Sequence, residues 1–313
     1  MKMKMKLNQN DYKVLEAMTD YRMVTINQIS ALFQSNKTAT SKRMKTFKKA
    51  GLVETLRRPL GRKRGRPEEL LCLTEKGFDA LKEENILDPS LLYDAVAANA
   101  IHCPNHQLLM NWFRIHLEHV QKVLPQWSYH IFTYSSPLLP PGPEMRSILT
   151  EYVPSANTKG EMVKFSPDAV FAGKDAQTDK TLLFFLEVDM GTETLARPDR
   201  NPGDVREKIL NYQAYFRTQK YKRYEKVWGC RFKGFRLLFL THTQGRLSSL
   251  CSLVQQMQPS DFIWLVEQGR MFSKGIAAKI WARGGRIHSD PESILGSLCC
   301  HAPLEGYSQN PLP

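Results

Sequence analysis

Leu182-Leu183-Phe184-Phe185-Leu186-Glu187-Val188-Asp189-Met190-Gly191-Thr192-Glu193-Thr194 is the stretch on which the reading of this chain turns. Its first five residues form an unbroken apolar run closed by Gly191, the composition of a strand buried on both faces. Glu187 and Asp189 stand two apart, so on a strand both project from the same side of the sheet, at its rim. Carboxylates at the end of a hydrophobic strand are costly unless they are paired or hold a cation. The stretch is therefore the expected functional centre.

Upstream, Val163 to Phe171 reads as a strand entered near Asp168, and the loop Gly173 to Lys180 turns it back into the acidic strand. Asp168 and Glu187 then sit on neighbouring strands. Downstream, a helix from Asp204 carries Val205, Ile209, Tyr212 and Phe216, and Phe235 to Thr241 is another buried strand. Lys208, Tyr212 and Tyr215 share one face of that helix, which can turn towards the acids; for the two tyrosines alone, core packing is the simpler role. Leu247 to Met257 reads as a helix, Phe262 to Val266 as a strand and Ile276 to Trp281 as a strand or short helix. The tail from Pro303 has too little apolar content to order itself.

Before the acidic region, Leu91 to Ala100 reads as a linking helix, and Asn105 to Val123 as a long helix whose apolar stripe packs on a core. His102, His106, His116 and His119 with Cys103 offer a zinc reading, weighed against core, cap and surface histidines, because Pro104 disrupts the turn. Trp127 to Tyr134 alternates as a strand does. Pro137, Pro140, Pro141 and Pro143 cannot continue it, so the segment to about Gly160 reads as a long, partly mobile loop.

The first 90 residues have a different character. They hold 19 Lys and Arg against 11 Asp and Glu, while the whole chain of 313 residues carries +13. Asn8 or Asn10 can cap a helix through Tyr12, Leu15 and Met18. A second helix, Ile26 to Phe33, follows the extended Met23-Val24-Thr25, and a third runs from the turn at Gln34-Ser35-Asn36 to about Ala50, ended by Gly51. On the third, Met44 and Phe47 face inward. Thr38, Ser41, Lys42, Lys45, Lys48 and Lys49 recur every three or four residues on the outward face. Two β-like runs, Leu52 to Leu56 and Leu70 to Leu73, flank a basic tip that contains Arg62, Lys63, Arg64 and Arg66, and a fourth helix starts at Thr74. A solvated basic helix and a charged loop account for each feature singly; together they form the footprint of a DNA-binding domain.

The net charge, with a pI near 9.4, points to an anionic partner, nucleic acid ahead of membrane. The six cysteines show no CxxC pair, and no run is long enough to span a bilayer, so a cytoplasmic protein without membrane partners is expected.

Four resemblances follow from these residues. Three helices and a hairpin with a basic tip, with Gly51-Leu52-Val53 before it and Leu73-Thr74-Glu75-Lys76-Gly77 after it, resemble a winged helix-turn-helix domain; Arg64-Gly65-Arg66-Pro67 is similar to the core of an AT-hook. Pro167-Asp168 and Glu187-Val188-Asp189 resemble the elements of the PD-(D/E)XK nuclease-like fold, with Asp189 where that family has lysine and Lys208 on the next helix able to restore the charge. The combination with Phe165-Ser166-Pro167-Asp168-Ala169-Val170-Phe171 and Glu187-x-Asp189-x-Gly191-Thr192-Glu193 resembles the replication-relaxation family of plasmids and other mobile elements, over roughly residues 8 to 255.

These resemblances imply a two-domain α/β (α+β) protein. Residues 1–90 would be a winged helix-turn-helix, 91–104 a linker helix, 105–302 a mixed-sheet, PD-(D/E)XK-like domain of the restriction-endonuclease type, and 303–313 a flexible tail. Asp168, Glu187 and Asp189 would hold Mg²⁺, and Asp168, Glu187 and Lys208 would be catalytic if the domain nicks or processes DNA. The expected partners are double-stranded DNA, replication or mobilisation proteins and a second copy of the chain. The alternative is a non-catalytic regulator whose α/β domain serves dimerisation or protein contacts. A Lys208 close to Glu187 favours chemistry; a distant one favours the inert reading.

Changing Arg64 and Arg66 together to Ala should weaken DNA binding and reduce its dependence on salt concentration. An affinity and salt slope equal to those of the unchanged protein, read by fluorescence anisotropy, would remove the tip from the interface.

Overall fold

A computed structural model describes residues 6–56, 68–134, 136, 139, 148–155, 160–196 and 203–307. Contacts divide the chain into two compact units: residues 1–115 with two short segments, and residues 116–134 with 140–310.

The first unit begins with α1 (Gln9–Tyr21), whose start is closed reciprocally: Asn8 Oδ1 accepts from Asp11 N, and Asn8 N donates to Asp11 Oδ2. After β1 (Met23–Val24), Thr25 and Gln28 repeat the arrangement on α2 (Ile26–Leu32). Asn36 caps α3 (Lys37–Ala50), which ends at Gly51 in the left-handed region at φ 74°. Thr40, Met44 and Phe47 are its buried face. Strands β2 (Val53–Leu56) and β3 (Leu70–Leu73) pair antiparallel, and β1 adds to the other side of β3 in the order β1-β3-β2. The tip between β2 and β3, with Arg62, Lys63, Arg64 and Arg66, lies outside the described residues. Helix α4 (Glu75–Glu83) follows, capped by Thr74, then the single turn α5 (Tyr93–Val96).

The sequence places the domain boundary at residues 91–104; the contacts place it inside α6 (Pro104–Val123), between Ile115 and His116. The reason is that the presumed linker is itself packed. Arg22 Nη2 donates to Ala97 O at 2.9 Å, Gln28 Nε2 to Leu108 O at 2.8 Å, and Asn111 Nδ2 to Met23 O at 2.7 Å. Buried polar side chains thus join α6 and its approach to β1 and α2, donating to backbone carbonyls on either side.

The second unit is built on six strands in the order β11-β10-β9-β8-β7-β4. Strand β4 (Trp127–Thr133) pairs antiparallel with the strand numbered β7 below. Next come β5 (Glu151–Pro154) and β6 (Met162–Phe165), a separate antiparallel pair. Part of the expected long loop is therefore a hairpin, pinned where Glu151 Oε1 accepts from Tyr224 OH at 2.8 Å and pairs with Arg223. The strand expected over Val163 to Phe171 is broken in two, because Pro167 has no N–H to give to a ladder. Its second half is β7 (Ala169–Asp175), antiparallel to β8 (Lys180–Asp189).

From β8 to β10 the strands run parallel, and β11 returns antiparallel to β10. Helix α7 (Val205–Arg217), capped by Asp204, and the short α8 (Glu225–Trp228) lead to β9 (Phe235–Thr241), parallel to β8. Helix α9 (Gln244–Gln255) leads to β10 (Ile263–Glu267), parallel to β9. Helix α10 (Gln268–Lys274) and β11 (Ala282–Arg283) close the unit; Ile276 to Trp281 is irregular instead of forming the expected element. The start of the expected loose tail is held: Leu304 is buried, and Ala302 N donates to Lys274 O.

Alternation along β8 sets the two core layers. Phe184 faces one way and stacks on Phe171 with centroids 4.5 Å apart. Phe185 faces the other and meets Tyr212, Tyr215, Tyr224 and Phe235 at 4.8–5.8 Å, mostly edge to face, the geometry their quadrupoles prefer. Glu187 and Asp189 continue the Phe185 side. No described helix is long and apolar enough to cross a membrane.

Gly77 opens α4 against the turn that ends α3. A Cβ there would stand 2.2 Å from Leu52 O and 2.7 Å from Leu73 Cδ1. Gly77→Ala should cost about 1–3 kcal/mol by overpacking, whereas Gly245→Ala, in open space on α9, should be neutral or stabilise by up to about 1 kcal/mol. Equal urea midpoints for the two variants, followed by circular dichroism, would show that the close approach at Gly77 is not limiting.

Candidate functional site

Parallel strands place the ends of β8 and β9, and the first turns of the helices after them, at one edge of the sheet, where open α/β sheets commonly bind ligands. Glu187 lies there, 2% exposed. The β7–β8 register pairs Ala169 with Leu186, so Asp168 comes next, opposite Glu187. Asp168 Oδ2 accepts from Val188 N at 2.7 Å, which ties the acid before β7 to the acidic strand.

The Glu187 carboxylate is held at both oxygens. Oε1 accepts from Tyr212 OH at 2.6 Å, and Oε2 pairs with Lys208 Nζ at 2.9 Å. Both partners come from α7, one turn apart. Lys208 Nζ also reaches Glu193 Oε2 at 3.2 Å, in the loop after β8. Burial pushes the Glu187 carboxyl up to about 7, with Lys208 opposing the rise and Asp168 adding to it. Burial works against the Lys208 ammonium too, but the charges of Glu187, Asp168 and Glu193 outweigh it and hold that group above its ordinary value. The lysine thus keeps its charge beside the acids. Burial, then Glu187, keeps the Tyr212 hydroxyl protonated well beyond its usual range, so it is a standing donor.

Asp189 points to the same side but is spent differently. Oδ1 accepts from Gly191 N and Oδ2 from Arg246 Nε, both at 2.7 Å, and Arg246 Nη2 donates to Glu193 O. Gly191, at φ 75°, allows this tight turn. Among the described residues no three of His, Cys, Asp and Glu gather as a metal-ligand group. Asp168 and Glu187 are hard oxygen donors of the type that suits Mg²⁺; Asp189, the expected third, is paired with the Arg246 guanidinium. The zinc reading has no cluster either. His116 is enclosed against Phe272, and burial pushes its imidazole down to about 3, the state of a neutral core residue.

A family model described as replication-relaxation matches residues 15–229, more than half of the chain. The chain belongs to the replication-relaxation family. No curated protein and no solved structure matches it. In this member of the replication-relaxation family, the matched span takes in most of the first unit, both acids and Lys208, and stops short of Arg246. Arg246 had no signal of its own in the sequence. The clue lay in topology: the helix after the next parallel strand starts beside the end of β8.

The other predicted residues lie on α3 in the first unit. Thr38, Lys42, Lys45 and Lys49 are exposed, and Ser41 and Lys48 half-exposed. Lys48 Nζ is engaged by Glu69 Oε2 at 2.7 Å, while Lys42, Lys45 and Lys49 meet no partner among the described residues. Arg43, not foreseen, pairs with Asp11 and lies over the Phe47 ring, which braces the helix.

The raised Glu187 pKa has a definite sign. The folded state holds this proton more tightly than an ordinary glutamate at 4.5 does, so the resulting stability is present at low pH and lost as pH rises to about 7. Glu187→Gln keeps an acceptor for Tyr212 and leaves Lys208 paired with Glu193, but removes the titration. The variant's thermal midpoint should fall less than the wild type's between about pH 5 and about pH 7. Parallel curves for the two proteins would place the proton elsewhere.

Proposed function

We propose that this chain is a DNA-binding protein acting in the replication or mobilisation of DNA elements, whose first unit engages double-stranded DNA and whose second unit engages a phosphodiester at the acid–lysine site. Family membership supports the setting. In the first unit, the order of helices and the β1-β3-β2 sheet suit a winged helix-turn-helix, with α3 laying exposed lysines and Thr38 along a duplex.

For the second unit, the order α6, β4, β7, β8, α7, β9 with the strands side by side supports a PD-(D/E)XK-like reading. The observation that carries it is the Lys208 ammonium 2.9 Å from Glu187, supplied from α7 instead of from two residues further along β8. Asp168 and Glu187 would hold Mg²⁺, which when bound polarises a phosphodiester and lowers the pKa of a water. Lys208 supplies a fixed positive charge for the phosphate oxygens, and Tyr212 keeps the Glu187 carboxylate oriented. A cation at the acids would also displace the proton that burial favours on Glu187.

One observation favours the alternative. Arg246 is already paired with Asp189 and Lys208 with Glu187, an arrangement suited to a non-catalytic regulator. Supercoiled, linear and single-stranded DNA incubated with Mg²⁺ or Mn²⁺ separates the two. Metal-dependent nicking is expected, reduced about 10²–10³-fold or more by Asp168→Ala, Glu187→Ala or Lys208→Ala. Nicking that survives these changes, or no cleavage and no metal binding, would overturn the phosphodiester reading, the second outcome in favour of the regulator.

A further inference from the structure

At the opposite edge of the six-stranded sheet, where β8, β9 and β10 begin, lies an open groove of about 840 Å³. Along β8, at about 3.3 Å per residue, the groove runs from Lys180, roughly 30 Å from Asp189, to Leu183, about 13 Å from Glu187. The groove is a separate place on the molecule.

Its chemistry is uneven. Three acids line it, and each is paired: Asp179 with Lys174 at 2.7 Å, Asp261 with Arg286 at 2.9 Å and Glu292 with Arg283 at 3.6 Å. Arg231 and Lys233 line it too, are exposed, and have no partner among the described residues; Lys180, also exposed, lies opposite Asp175 on β7 and, after the hydrogen bond from Thr178, helps to lower the pKa of that carboxyl. The groove therefore presents uncompensated positive charge. It also presents rings. Phe216 and Phe262, both half-buried, stack with centroids 5.0 Å apart and planes 23° apart. Trp264 lies under the guanidiniums of Arg236 and Arg283, at 4.7 and 5.7 Å.

We infer that this groove binds a short stretch of single-stranded nucleic acid, its phosphates on Arg231 and Lys233 and an unpaired base extending the Phe216–Phe262 stack. Free cations give backbone affinity, and aromatic faces accept bases without regard to sequence; the two together are what unpaired strands select. A duplex hides its base faces and has no use for the stacked pair. An acidic peptide would use the cations and leave the rings idle. The inference does not rest on cleavage at Glu187, nor on duplex binding by α3.

The test is fluorescence anisotropy of a labelled dT 12-mer with the full chain. Arg231→Ala with Lys233→Ala should weaken binding about tenfold or more and reduce the logarithmic salt slope by about 1.4, two phosphate contacts at about 0.7 each. Phe262→Leu, which keeps the apolar volume, should weaken binding about tenfold while leaving the salt slope unchanged. Lys13→Ala with Lys279→Ala, exposed lysines outside both the groove and α3, should leave dT binding intact. Unchanged binding in the groove variants would overturn the proposal. So would competition by dTMP as strong, per mole, as by unlabelled 12-mer, which points to a nucleotide pocket, or equal displacement by polyglutamate, which points to an acidic peptide.

Discussion

The second unit depends on how one buried carboxylate is satisfied. Glu187 continues the face of β8 that carries Phe185, so it emerges where an aromatic layer meets the edge of the sheet. An isolated charge there would be prohibitive. Tyr212 and Lys208 answer it from a single face of α7, and that fixes the rotation of the helix about its own axis. The same rotation turns Tyr215 into the cluster around Phe185 and Phe235. The polar bonds and the aromatic packing thus agree on one placement of α7, which is how a buried polar group can specify a core as well as burden it.

Around that centre, charge is distributed by depth. Lys208 bridges the buried Glu187 and the more exposed Glu193, and Arg246 bridges Asp189 and the Glu193 backbone. The loop after β8 is therefore tied to α7 and to α9 by side chains that also serve the acids. A change at the acids is felt in that loop directly, with no need of a longer path. At the far end of the same strand the balance is reversed, with acids paired and cations left over. One strand, Lys180 to Asp189, runs from a positive groove to an acidic rim.

How far the sequence made this legible depended on whether the deciding forces were local. The apolar run of β8, the cap at Asn8, the turn at Asn36, and the inward Met44 and Phe47 follow from periodicity and short-range hydrogen bonding, so they could be read along the chain. Lys208 beside Glu187 was legible as a possibility, because helical spacing placed it with Tyr212 and Tyr215. The boundary within α6 was not: it rests on Gln28 and Asn111, polar residues whose partners are 80 and 88 positions away. The β5–β6 hairpin was hidden because its anchor, Glu151 with Arg223, is equally remote. Arg246 escaped because pairing with Asp189 is a property of parallel topology and leaves no mark on its own neighbours.

The Asp189–Arg246 pair binds two positions into a single heritable unit. A lysine at 189 would set an ammonium against the guanidinium of Arg246 and leave the Gly191 amide without its acceptor. An acid at 246 would do the reverse damage to Asp189. Neither position can change sign alone without passing through a clash of like charges, whereas the double exchange restores neutrality. Sequence drift at this rim is accordingly epistatic, with residues on β8 and α9 constrained to move as a couple.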